Sequence, residues 1–322
     1  MYENRIDLDV TYYDRKTTDV IMAKDIDPAS GYTAFWDNVA DITNKGVELS
    51  LGAKVLRSND GFNLGFNLNF AKNTNEASNI DDDPKTNNGQ VVLGGLWNVD
   101  IIAKEGEAVG AIFGPGFARD NSGNIIYSNG LPTRDPTSKV LGNINPDWTG
   151  GFGINMSYKN LRLSTLFDVK KGGDIYSQTN SWGKLAGVLE ETTQGRETGI
   201  VGQGVMDDGT GNYVPNTVVT SAQSFFNTTY SQNIAESSVY DASFVKWREL
   251  ALTYTVPKSL FKNTGIDNVS FGVTVRNLAI LYKKVPQIDP ESAFSNSTGQ
   301  QGLEFAQIPS TRSIGFNLNL KF

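Results

Sequence analysis

Over the run FNLGFNLNF, Phe62, Leu64, Phe66, Leu68 and Phe70 alternate with Asn63, Gly65, Asn67 and Asn69. A two-residue period of this kind marks a β-strand with one apolar and one polar face. The same pattern returns in RIDLDVTYY, where Ile6, Leu8, Val10 and Tyr12 oppose Asp7, Asp9 and Thr11, and in GVELSLGAK, where Val47, Leu49, Leu51 and Ala53 oppose Glu48, Ser50 and Lys54. It continues in FGINMSY, LRLSTLFDV, RELALTYTV and VSFGVTV, and closes in SIGFNLNLKF, where Ile314, Phe316, Leu318, Leu320 and Phe322 share a face. Weaker segments at 96–103 and 108–117 bring the expectation to about ten strands. A slip of one residue would exchange the two faces of any of these strands, so their register is tightly specified.

An alternating all-β chain can be a soluble sandwich or propeller as readily as a membrane barrel. Three features favour the barrel. The apolar faces carry Phe, Leu, Val and Tyr while the opposite faces carry Asn, Ser, Gly, Asp and Lys, the reverse of what the interior of a small soluble barrel needs. Tyr12, Tyr13, Trp148, Tyr158, Trp247 and Tyr254 fall near strand ends, as interfacial aromatic girdles do. The last alternating strand stops on Phe322. The connections also alternate in length. Those at 55–61, 103–107, 159–160 and 257–267 are short and the others long, which matches short periplasmic turns and long outside loops if the C-terminus is periplasmic. The fold expected is therefore all-β, an antiparallel transmembrane β-barrel segment set in outer-membrane lipid. The longest connection, 171–242, exceeds what an idle loop needs and is a candidate functional element.

Mean hydropathy is −0.32, a value that misleads for barrels because only alternate residues meet lipid. No stretch approaches the roughly 20 apolar residues of a membrane helix. The chain has no Cys and no His, which removes thiolate catalysis, Ser-His-Asp triads, disulfides and the usual zinc sites. A net charge of −7 without a basic run argues against nucleic acid. The acidic run IDDDP at 80–84 lacks the spacing of a calcium loop, and Asp207-Asp208-Gly209 reads as a turn. No catalytic residue, metal ligand or cofactor is expected. The opening MYENRIDLDV lacks the apolar core of a signal peptide, so residue 1 is expected not to be the natural start.

The strings NRIDLDVTYYDRKTTDVI, NKGVELSL, GEAVGAIFGPGF, LGNINPDWTGGFGINMSYKNLRLS with KKGGDIYSQ, and the block from ASFVKWRELALTYTVPKSL through RNLAIL to Phe322 are spread over nearly the whole chain. In them the protein resembles the C-terminal barrel part of the SusC/RagA family of TonB-dependent outer-membrane transporters. That resemblance implies a 22-stranded barrel with an internal plug, TonB engaged through an N-terminal part not seen here, and a SusD-like surface lipoprotein that helps capture glycans or peptides. Residues 1–322 would supply slightly less than half of such a barrel. A last strand ending on an aromatic also resembles the signal read by the outer-membrane assembly machinery, which singles out Phe316, Leu318, Leu320 and Phe322; each would equally serve as a lipid-facing residue. Trp182, Phe225, Phe226, Tyr230 and Tyr240 lie in the long loop and have the chemistry to stack on sugars or pack on peptide side chains, or simply to pack the loop. A smaller self-contained barrel acting as an adhesin or structural protein is the alternative, and it would require the first and last strands to pair.

Overall fold

The computed structural model describes residues 5–59, 61–80, 89–262, 264–295 and 297–322. Eight antiparallel strands form one continuous wall: β1 Ile6–Asp25, β2 Ala34–Leu56, β3 Phe62–Ser78, β4 Trp148–Tyr158, β5 Leu161–Lys171, β6 Phe244–Thr255, β7 Asn268–Lys283 and β8 Ser313–Lys321. They stand in chain order, and each of the eight clearly alternating segments contributes one of them. β1 and β8 are the two edges of the sheet and do not pair with one another among the described residues.

Register ties the alternation into rows. Ile6, Ala53, Phe66, Ile154, Thr165, Leu250, Val275 and Ile314 are successive cross-strand partners over all eight strands. One residue along, Lys54, Gly65, Asn155, Ser164, Ala251, Thr274 and Gly315 form the matching row on the other face. The apolar rows are open to the surroundings, as in Phe316, which is 81% exposed. Among the described residues no second sheet or helix layer covers them, which is the arrangement that hydrocarbon tolerates and water does not.

The connection at 159–160 is a two-residue hairpin with Lys159 at φ 51°, the left-handed geometry that matches strand twist. It lies at the same end of the wall as 55–61, 257–267 and the C-terminus. The connection at 103–107 does not. The Ala77 amide donates to the Glu107 carbonyl and the Gly106 amide to that of Ala77, at 3.0 and 2.9 Å, which places this turn at the opposite, long-loop end of β3.

The two weaker strand segments are likewise not part of the wall. They belong to a separate four-stranded sheet of Gln90–Leu96, Val99–Lys104, Ala111–Phe117 and Arg134–Asn143. Val99, Ile101, Ile102 and Ile112 are fully buried there, so both faces of this sheet meet protein. Around Leu96, Val99, Ile101 and Ile112 pack Tyr176, Ala235 and Leu303, drawn from other loops. The long connections therefore condense into an ordered layer with its own core. Among the described residues that layer contains two helices, α1 Gln178–Ala186 and α2 Ala222–Ser231. The hydroxyls of Ser177 and Ser221 cap them, accepting from the amides of Asn180 and Ser224 at 3.0 and 3.1 Å.

Candidate functional site at the mouth of the wall

The ladder between β5 and β6 shifts at one point: Leu166 pairs with Glu249, but Phe167 pairs with Trp247. Arg248 is the extra residue of this β-bulge, a device that re-aims side chains near functional sites. The shift keeps Trp247 on the apolar face, where it stacks on Phe167 with ring centroids 5.4 Å apart. It also sends Arg248 to the polar face, where Nε donates to Asp168 at 2.5 Å.

There the wall meets the connection 284–312. Lys246 Nζ lies 2.5 Å from Asp289 Oδ1 and 2.5 Å from Glu291 Oε2, and Arg248 also donates to Glu291. The Ser310 hydroxyl donates to Asp289 at 2.5 Å and the Glu291 amide at 3.0 Å. Burial opposes ionisation of Asp289, yet these hydrogen bonds prevail and hold its carboxyl at about 2. Glu291 is also held below the usual carboxylate range, burial being outweighed by Arg248 and Lys246. The network clamps the loop onto the top of the wall.

The loop aromatics named from sequence fall into different environments. Trp182, on α1, meets Phe305 at 4.8 Å and Trp97 at 5.5 Å in edge-to-face geometry, and Trp97 meets Phe305 at 4.9 Å. Trp97 occupies the tip of the Leu96–Val99 hairpin at φ 55° and is 59% exposed. Phe225 stacks on Tyr127 at 6.5 Å and meets Phe226 edge-on at 5.5 Å. Tyr230 lines a cleft of about 30 Å³ with Trp97, Asn98 and Gln178, room for little more than a water molecule. Tyr240 sits opposite Ile175 in a small three-stranded sheet beneath the Lys184 ammonium, 5.5 Å from its ring. Burial raises the Tyr240 hydroxyl pKa and lowers that of Lys184.

Five of the named residues thus do not form one cluster. Trp97 and Phe305 complete the group around Trp182, and both escape a sequence reading because they come from other loops. The clamp of Lys246, Arg248, Asp289 and Glu291 escapes it too; its one signal is the charged break that K-W-R-E makes in an alternating strand.

Phe316, Leu318, Leu320 and Phe322 end the wall on its apolar face, all exposed. The Asp207-Asp208-Gly209 turn is present, with the Asp207 carboxylate accepting from the Gly209 amide at 2.7 Å. Residues 81–84 of the acidic run lie outside the described residues. Among the described residues no group of three or more acidic side chains is placed to hold a metal ion.

A wall whose one face is apolar over eight strands, topped by an ordered layer of long loops, defines an outer-membrane β-barrel protein. Residues 1–278 match the family model described as TonB dependent receptor-like, beta-barrel, and the chain belongs to that family. TonB-dependent receptor P3 of Formosa agariphila is 26% identical over 351 residues, which cover 100% of this chain and 33% of that protein. TonB-dependent receptor P26 of the same organism is 25% identical with the same coverage, 100% and 33%. The chain thus spans about a third of the length of these curated relatives. Among solved structures, the RagAB peptide transporter superposes with a TM-score of 0.70 at 21% identity over 99% of this chain and 33% of that one. The RagAB peptide importer in its 'open-open' state gives 0.68 at 20% identity, over 100% and 33%. The SusC/RagA resemblance and the outer-membrane location read from the sequence agree with these findings.

Proposed function

We propose that this chain forms the C-terminal wall and outside loop layer of a SusC-like, TonB-dependent importer that takes up glycans or peptides. The observation that carries the reading is the division of the eight-stranded wall into a predominantly apolar face and an amide-, hydroxyl- and glycine-rich face, with a clamped loop layer over its mouth. The polar face suits a water-filled lumen, and the loop layer suits solute capture. A SusD-like surface lipoprotein is the partner on the outside, a role supported by the similarity to the RagAB peptide transporter. TonB would be engaged by another part of the full-length protein. The smaller-barrel alternative is disfavoured because β1 and β8 stand at opposite edges of the sheet.

Within this reading Phe316, Leu318, Leu320 and Phe322 serve as the assembly signal, and the outside aromatics, Trp182 foremost, are ligand contacts. The test is uptake by cells that express the full-length protein. Transport should depend on an active TonB system, and deletion of Phe322 should lower the amount of folded protein in the outer membrane. Uptake indifferent to TonB would overturn the importer, and undiminished outer-membrane levels would overturn the assembly role.

A further inference from the structure

Between the top of β5 and the connection 284–312 lies a polar cavity of about 290 Å³. Lys170, Asp174, Glu291, Ser292, Ser295 and Gln301 supply its polar lining. By the alternation of β5, Lys170 shares the polar face with Arg162, Ser164 and Asp168, so the cavity opens from the lumen side of the wall.

Its charges are unevenly satisfied. The Lys170 ammonium is half-buried and makes no hydrogen bond or ion pair among the described residues. Its charged neighbours are Glu291, Asp174 and Asp241. Two of these are already engaged: Glu291 takes Lys246 and Arg248, and Asp241 takes Lys284 at 2.6 Å. Among the described residues Asp174 accepts only the Asn143 amide, at 3.0 Å, and burial pushes its pKa up. The cavity therefore offers one ammonium and one carboxylate that attract one another across it but form no direct ion pair among the described residues. Half-buried charges left in that state are costly, and a bound group that donates to one and accepts from the other relieves both.

The pair sums to zero, so a net charge on the ligand would relieve one member and oppose the other. A hydroxyl group both donates and accepts, and a ring with several hydroxyls serves both ends at once. Ile144 and Ile175 also line the cavity and offer an apolar surface to C–H groups. The volume is at the low end for small-molecule sites and admits one ring-sized unit.

We propose that this cavity is a subsite for a neutral sugar ring, with Asp174 accepting from one hydroxyl and Lys170 donating to another. The assignment rests on the importer reading and narrows its solute to neutral glycans.

The test uses the full-length importer in detergent, titrated calorimetrically with a panel of neutral oligosaccharides and with peptides of matched mass. Asp174→Asn keeps the shape and the Asn143 contact, Lys170→Met keeps length and apolar stem, and Lys258→Met, at the short-turn end of the wall, is the control away from the cavity. Neutral oligosaccharide binding is expected, weakened roughly 10- to 100-fold by Asp174→Asn and by Lys170→Met, the size of losing a hydrogen bond to a charged group, and unchanged by Lys258→Met. Should Lys170→Met fail to assemble, Asp174→Asn decides alone. Unchanged affinity in Asp174→Asn, preference for peptides, or no oligosaccharide binding would overturn the subsite. Uptake in the same strains separates the two claims, since TonB-dependent uptake alongside any of those outcomes removes the subsite and leaves the importer standing.

Discussion

Lys246 and Asp289 are 3% and 4% exposed, so neither can turn to water if the other is lost. Truncation of Lys246 to Ala should leave Asp289 ionised, buried and short of its strongest partner, at a cost of about 3–5 kcal/mol. Hydrogen exchange across 284–312 would then rise well above that of the wall. The exposed pair Lys258–Asp267, 3.1 Å apart at the short-turn end of the wall, offers the contrast; Lys258→Ala should cost under about 1 kcal/mol. The same clamp predicts a pH response. An unfolded aspartate titrates near 3.9, whereas Asp289 in the fold is held at about 2 by Lys246 and Ser310 against the effect of burial. Folding thus favours its anion. The contribution is complete above about pH 4 and is lost as the pH falls toward 2. Protection of 284–312 should hold down to about pH 4 and fade below it; loss of protection on raising the pH instead would contradict this account.

Glycine in the NKGVELSL segment shows how an element depends on a single missing side chain. A Cβ at Gly46 would come within 2.4 Å of the Tyr13 ring and 2.6 Å of the Lys72 carbonyl oxygen. Tyr13 lies across this gap and donates its hydroxyl to Asn73 at 3.1 Å. Gly46→Ala should therefore displace both the ring and the β2–β3 ladder, costing about 1–3 kcal/mol. Gly52→Ala, whose Cβ would meet nothing nearer than 3.7 Å, should be nearly neutral. Heat-induced unfolding in detergent separates the two. Legibility follows the same physics. All eight wall strands could be read because each meets different surroundings on its two faces, which writes a period of two into the sequence. The outer parts of β1 and β2 could not, because register shifts around Val20 break that period. Segments 96–103 and 108–117 were legible as strands but not as loop-layer strands, since apolar side chains pack alike on lipid and on protein. The clamp joins residues about 43 apart in sequence, such as Lys246 and Asp289, and no local pattern marks such a contact.

For the molecule as a whole, the decisive property is which way the sheet faces, and β3 allows that to be tested at one depth. From Phe62 to Phe70 its apolar face spans roughly 20 Å along the barrel axis at a strand rise of about 3.3 Å and a tilt near 40°. Phe66 stands midway, stacked on Phe152 at 5.7 Å, and Asn67 is its neighbour on the polar face. An arginine at the centre of the lipid-facing band costs about 2–4 kcal/mol, because the guanidinium can reach neither headgroups nor lumen water without distortion. On the lumen side the same residue stays hydrated. Phe66→Arg should therefore reduce folded protein in the outer membrane and lower its unfolding temperature, whereas Asn67→Arg should leave assembly largely intact. Equal penalties would mean that both faces are packed against protein, and the reverse order would turn the wall inside out. Either result would remove the basis for a lumen, and with it the importer.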